Sequence, residues 1–465
     1  MRRRAVSPPR LYVHTLGCPK NEADSRALAR SLAGSGAILV SDPEEASHIL
    51  LNTCGFIREA KEESIAAILD ACASYPEKKV LVMGCLVERY RDELQSGIPE
   101  VAGWFGFGGG AGEADLPRML KRELARDDRG NSDAMDDDGG GSGLAARAPA
   151  GGPALAATPS TCLSYAYLKI SDGCDEPCAF CAIPSIKGGY HSLSTEGILH
   201  EADACLAEGA RELVLVGQDT TLWKDGELDL AGLIGLLARD ERVRRLRVMY
   251  LQPERVEDGF LRYMAGQPKL CRYLDVPFQH SHPDVLRRMG RGGDGDFHLR
   301  LLERARRLMP DLSARTSLIV GFPGETDEHF EHLLRFVEQA GFDYAGGFVY
   351  SPEEGTPAAN LRPRVRRPVA LQRLNRLNTV LLTCSERRRH ALVGSRVEVM
   401  IDSLGTEELD EGVTAVGRTA GQAPDVDGVT YVEGELPEGI VPGDMVMVTV
   451  ESVVGFDLVG RCDAS

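Results

Sequence analysis

Six times between residues 164 and 351 the sequence runs through a short apolar stretch and then a polar segment of helix length. The apolar stretches are YAYLKIS, ELVLVGQ, RLRVMYL, RYLDVPF, ARTSLIVGF and GGFVYS. Strand followed by helix, repeated, builds a parallel sheet with the helices as crossovers. Six units are too few for a closed eight-stranded barrel but suffice for an open one, with chemistry expected on the loops at the strands' C-terminal ends. The N-terminal region shows the same pattern in RLYVHTLG, HILLNT and KVLVMG, the first two followed by the helical patterns NEADSRALARSLAGSG and REAKEESIAAILDACASY. A third kind of region begins near Val393, where SRVEVMID, VTYVEGE and DMVMVTVES are separated by turn residues, as in a small β-barrel. The expected class is α/β. It comprises an N-terminal parallel βα domain over 10–126, a partial (βα)6 barrel with connecting helices over 161–392, and a β-module over 393–465. Residues 127–160 combine an acidic run with Gly, Ala and Pro and carry no hydrophobic period, so a flexible linker is expected there.

A chain of 465 residues is long enough for two or three domains. It has no apolar run of membrane-spanning length, and its basic start, MRRRAVSPPR, lacks the apolar core of a signal peptide. A cytoplasmic protein without membrane association is expected. In that compartment twelve cysteines read as metal ligands, catalytic groups or small buried side chains rather than disulfides. The formal charge of −17 disfavours a phosphate-rich partner and suits a basic one.

Two cysteine sets stand out. GCDEPCAFC places Cys174, Cys178 and Cys181 directly after the first strand of the central region. Structural zinc takes four ligands, and no nearby histidine or second CxxC completes such a set. An iron-sulfur cubane held by three thiolates leaves one iron open to a small molecule, so three is the right number if the fourth ligand is a substrate or cofactor. The second set, Cys18, Cys54 and Cys85, sits just past three successive N-terminal strands. The C-terminal ends of parallel strands share one edge, where ligands bind, so these three thiols either converge on one centre or are buried strand-end thiols. Cys72 lies in a helical pattern, while Cys162, Cys205, Cys271, Cys384 and Cys462 have no partner at ligand spacing; all six read as core.

CxxxCxxC after the first strand of a partial barrel, with Phe180 before its last cysteine, resembles the radical S-adenosylmethionine (SAM) superfamily. Three strand-end cysteines ahead of the barrel and a β-module behind it resemble the methylthiotransferases of that superfamily. Supporting stretches are GQDTT (217–221), YLDVPFQHSHPDVLRRMGRG (273–292), SLIVGFPGET (317–326) and YSPEEGTPAA (350–359). Asp219-Thr220-Thr221 and Glu353-Glu354 resemble the branch that modifies an aspartate of the twelfth protein of the small ribosomal subunit. The tRNA-modifying branch has an Asn-rich and an Arg-containing segment at those places.

The resemblance implies two 4Fe-4S clusters, on Cys174, Cys178, Cys181 and on Cys18, Cys54, Cys85. SAM would serve as radical precursor and as methyl donor. The implied reaction passes an electron to SAM, generates a 5′-deoxyadenosyl radical and replaces a hydrogen on the aspartate β-carbon with a methylthio group. An external electron donor and a sulfur source are implied partners, with the basic ribosomal protein as substrate and tRNA disfavoured. Candidate SAM contacts at strand ends are Gln218, Gln279, Arg315, Gly321 and Glu325, with Gly324 beside them. The competing reading is that the glycines only make a tight turn and Glu325 caps the next helix. Lys187, His191 and Leu193 stand where the family often carries arginines, so no role transfers to them. The remaining readings are a tRNA adenosine methylthiotransferase, a non-catalytic iron-sulfur electron carrier and a zinc-stabilised scaffold.

The C-terminal module resembles the TRAM domain, an RNA-binding accessory in tRNA-modifying relatives. From Gly394 onward it holds three arginines (Arg396, Arg418, Arg461), no lysine and fifteen Asp and Glu. Phosphate neutralisation needs cations, so this module is expected to repel RNA and to dock a basic protein, the alternative being plain solubility charge. Arginines in LRPRVRRPVALQRLNRLN and ERRRH are expected on the polar face of connecting helices.

Overall fold

Every residue of His48–Thr53 is buried, as a strand covered by helices on both faces requires. The structure, a computed structural model, describes residues 8–106, 118, 120–121, 164–405 and 412–463; the expected linker and Cys162 fall outside them. In the N-terminal unit, β1 (Arg10–Thr15), β2 (Ile38–Leu39), β3 (His48–Thr53), β4 (Lys79–Gly84) and β5 (Gly103–Phe105) form one parallel sheet in the order β2-β1-β3-β4-β5. Ile49, Leu51, Val80 and Val82 pack on one face with Ile68, Ala71 and Leu86 of the helices Arg58–Ser74 and Cys85–Gly97. Leu11, Val13, Leu50 and Leu81 pack on the other with Leu28, Ala29 and Leu32 of the helix Pro19–Ala33. β2, β5 and the helix after β4 were not legible as elements; the two strands are only two and three residues long.

The second unit holds the central and C-terminal regions. Its six expected runs are six strands: β6 (Tyr165–Lys169), β9 (Glu212–Val216), β12 (Arg245–Val248), β13 (Tyr273–Asp275), β14 (Ser313–Val320) and β15 (Tyr344–Val349). Two-residue antiparallel pairs intervene, β7 (Ser171–Asp172) with β8 (His191–Ser192) across the cysteine loop, and β10 (Lys224–Asp225) with β11 (Leu228–Asp229) in a hairpin. β6-β9-β12 and β13-β14-β15 are parallel throughout, and a bridge from Leu246 to Leu270 joins the two halves into an open, partial barrel. On β14, Ala314, Leu318 and Val320 join the apolar layer under the helices, while Arg315, Ser317 and Ile319 alternate with them on the other face. Among the described residues no helix is long and apolar enough to cross a membrane.

The C-terminal module is a closed barrel of β16 (Arg396–Leu404), β17 (Val413–Thr419), β18 (Thr430–Glu433), β19 (Met445–Val454) and β20 (Asp457–Cys462), in the order β16-β17-β18-β20-β19. It docks on residues at and near the starts of the partial barrel's strands. Glu212, fully buried at the start of β9, is held by Arg247 at 2.7 Å and by Arg418 of the module at 2.8 Å. Asp427 of the module accepts from Tyr273 Oη at 2.6 Å and pairs with Arg315 at 3.3 Å. Tyr165 Oη donates to Asp425 at 2.8 Å, and Arg247 Nη1 to the Ala420 carbonyl at 2.9 Å. The loops at the other ends of the strands are left for chemistry.

The arginine-rich helix Arg367–His390 departs from a simple polar face. Arg373 and Arg389 are buried, the first on Glu325 and Asp327, the second bonded to the backbone carbonyls of Asp343 and Gly455.

Candidate iron-sulfur and cofactor sites

Gly173, at φ 67°, turns the chain out of β7 into the first cysteine loop, where a Cβ would strike the Gly189 carbonyl. Backbone bonds pin that loop: Cys174 N–H to Gly188 O at 3.2 Å, Ala179 N–H to Met289 O at 2.8 Å, and Ala358 N–H to Ala179 O at 2.8 Å. Each sulfur receives a donor. Glu176 N–H points at Cys174 Sγ and Ile183 N–H at Cys181 Sγ, both at 3.5 Å, and Arg291 Nη1 lies 3.8 Å from Cys178 Sγ. Burial pushes the Cys174 and Cys178 thiols up; the Glu176 amide and Arg291 respectively work against it. Donors aimed at sulfur stabilise thiolate, the form that ligates iron, so these three residues fit a cluster.

In the N-terminal unit, Cys18 is the N-cap of Pro19–Ala33, Cys54 follows β3 directly, and Cys85 opens the helix after β4. Glycines bring the three together. A Cβ on Gly17 would lie 2.7 Å from Cys54 Cβ, and one on Gly55 would lie 2.7 Å from the Cys85 carbonyl. A buried polar network braces the loops: Asn21 Nδ2 donates to Leu16 O at 2.8 Å, Asn52 Nδ2 to Asn21 O at 3.0 Å, and Ser64 Oγ to Cys54 O at 3.1 Å. Burial, reinforced by neighbouring thiols, pushes Cys54 up to about 11 and Cys85 up to about 12. Cys18 raises both and Cys54 also raises Cys85, and the close approaches at Gly17 and Gly55 set the loop of Cys18 against Cys54 and the loop of Cys54 against Cys85.

Gly17→Ala tests that convergence. At φ 101° an added methyl is strained and displaces Cys54. A loss of about 1–3 kcal/mol is expected, together with partial loss of iron, read by denaturant unfolding and iron assay. Full iron content at unchanged stability would count against the site.

The candidate cofactor residues fall into three groups. Gln218 and Gln279 lie past the ends of β9 and β13; Gln279 sits at φ 67°, with its N–H on Ser317 O at 2.9 Å and its carbonyl taking Ile319 N–H at 2.7 Å. Glu325 accepts from Gly321 N–H at 2.6 Å and Phe322 N–H at 3.1 Å, and from Arg373 at 2.9 Å, so it shapes the turn after β14. Gly321 and Gly324 occupy positive φ in that turn. The next helix, Asp327–Ala340, is capped by Thr326 in a box with His329, not by Glu325. Arg315 is not at a strand's C-terminal end: it is the third residue of β14, paired with Asp275 at 3.0 Å and with Asp427. Of the residues that depart from the family pattern, Leu193 packs on the barrel core and His191 lies exposed on β8.

Sequence reasoning missed two polar groups at the first cysteine loop. Arg255 joins Asp219 at 2.8 Å to Glu176 at 2.5 Å, and Arg291 also bonds Gln252 and the Pro277 carbonyl. The GQDTT and MGRG stretches contained Asp219 and Arg291, but nothing local marks Arg255 or Gln252 as their partners.

An open barrel of six parallel strands with three thiols on the loop past its first strand defines a radical SAM enzyme. The model of the radical SAM superfamily matches residues 168–337, that of the uncharacterized protein family UPF0004 residues 10–106, and that of the TRAM domain residues 393–462. The chain belongs to the ribosomal protein uS12 methylthiotransferase RimO family. It is 40% identical to the RimO of Anaeromyxobacter sp. (strain Fw109-5) over 98% of this chain and 93% of that one. It is 39% identical to the RimO of Aquifex aeolicus (strain VF5) over 97% of each. Among solved structures, the radical S-adenosylmethionine methyltransferase TsrM of Kitasatospora setae superposes with a TM-score of 0.54 at 14% identity, covering 75% of each chain, a likeness of fold.

Proposed function

We propose that this chain is a methylthiotransferase that replaces a hydrogen on the β-carbon of an aspartate of ribosomal protein uS12 with a methylthio group, by radical SAM chemistry in the cytoplasm. The observation that carries this reading is the likeness to RimO proteins along almost the whole chain. Cys174, Cys178 and Cys181 would hold one 4Fe-4S cluster and Cys18, Cys54 and Cys85 a second. The clusters and SAM supply electron transfer, hydrogen abstraction and the sulfur and methyl groups, chemistry no side chain performs. An external electron donor and sulfur source complete the set.

The chain's own residues position and seclude. Glu176 N–H, Ile183 N–H and Arg291 place a donor at each of the three sulfurs, which would favour the thiolate that ligates iron. Gln218, Gln279 and the Gly321–Glu325 turn form the cofactor face, with Glu325 fixing the turn's amides. Arg315, tied to two carboxylates, joins the barrel to the C-terminal module. That module's fifteen acidic residues suit a basic ribosomal protein and oppose tRNA, since electrostatic complementarity raises encounter rate and selectivity.

The test is anaerobic reconstitution, incubation of uS12 with SAM and a strong reductant, and mass spectrometry. One methylthio group gained on an aspartate, with 5′-deoxyadenosine released, is the expected result. Release of 5′-deoxyadenosine with uS12 unmodified and tRNA adenosine thiomethylated would replace the substrate; no 5′-deoxyadenosine would leave an electron carrier.

A further inference from the structure

Four of the chain's ten histidines, His280, His282, His329 and His332, come from two rim segments, the loop after β13 and the helix Asp327–Ala340 after β14. The His282 ring lies 4.0 Å from that of His329 and 5.1 Å from that of His332, centre to centre. Side-chain ligand atoms of His282, Asp284 and His329 all lie within 4.8 Å of one another. We propose that His282, Asp284 and His329 bind a divalent transition cation of the Zn2+ class, joining the loop after β13 to the start of the helix after β14.

Two imidazoles and a carboxylate with open positions for water are a donor set for borderline divalent cations, and the three belong to neither cysteine site. The two rings are already oriented. His282 Nδ1 accepts from Asp284 N–H and His329 Nδ1 from Thr326 N–H, each at 3.2 Å. Coordination through Nε2 moves the ring proton to Nδ1 and releases both backbone amides, which lie exposed where water replaces the rings. Asp284 also exchanges its exposed pairing with Arg287, now at 2.8 Å, for the cation. These exchanges set the expected affinity in the micromolar range rather than that of a closed four-ligand site. The consequence is local order. Gln279 precedes His282 by three residues and Glu325 precedes His329 by four, so the cation would fasten together the two loops that carry them.

The test uses the full chain with its clusters reconstituted, equilibrium dialysis against Zn2+ alone, and assay of zinc and iron together. About one zinc per chain is expected, with His282→Ala and His329→Ala each weakening binding by about 10- to 100-fold at unchanged iron. Because both histidines sit at helix starts, Asp284→Asn, an exposed change, provides the second reading, with about a tenfold loss expected. Equal zinc affinity in all three variants, no zinc retained by the unaltered chain, or zinc bound only as iron is displaced, would each overturn the proposal.

Discussion

Replacing Cys174, Cys178 and Cys181 together by alanine is expected to remove about half of roughly eight irons per chain and to abolish 5′-deoxyadenosine release. The loop should survive the change, because its hold on the barrel runs through backbone bonds to Gly188, Met289 and Ala358 rather than through the thiols. The same change at Cys18, Cys54 and Cys85 should remove the other half, keep 5′-deoxyadenosine release, and stop methylthio transfer. The two triples therefore separate cleavage of SAM from delivery of sulfur. Iron content equal to that of the unaltered chain in either triple would refute that ligand set, and intact circular dichroism in both guards against simple unfolding.

Glu212→Gln carries the largest expected effect on stability, about 3–5 kcal/mol, because it leaves Arg247 and Arg418 buried with their shared carboxylate gone. Burial is the largest single influence on Glu212 and pushes its pKa up, but Arg247, Arg418 and Arg245 together outweigh it and bring it down to about 2. A depressed carboxylate stabilises the fold above its unfolded pKa, near 4.5, and loses that contribution as pH falls toward 2. Between those limits the unaltered protein should lose about 3 kcal/mol that Glu212→Gln does not lose, read as urea midpoints across that pH range. Parallel pH profiles for the two proteins would show that the carboxylate is not held as described.

The sequence carried much of this because the features concerned are local. Strand-helix alternation located all six central strands, and a cysteine's place just past an apolar run was enough to put Cys18, Cys54 and Cys85 at one sheet edge. What escaped was decided by partners distant in the chain. Glu325 reads as a helix cap from its neighbours, yet its carboxylate is taken by Gly321, Phe322 and, from 48 residues away, Arg373. Arg315 reads as a strand-end residue until its partners Asp275 and Asp427 fix it low on β14. β17 and β20 were not among the runs quoted for the C-terminal module, and they are identified by their pairing, β17 between β16 and β18 and β20 between β18 and β19.

The ion pairs that seat the C-terminal module bear on how such a protein can change its clientele over evolutionary time. A module that inserts Arg418, Asp425 and Asp427 among Glu212, Tyr165, Tyr273 and Arg315 is not an interchangeable adaptor. Grafting one from a relative with a different target would take Arg418 from buried Glu212 and Asp427 from Arg315, so a wholesale exchange starts from an unstable intermediate. Recognition of a new target is then open to gradual drift on the module's outward face, while the inward face is inherited together with the barrel as a single heritable unit.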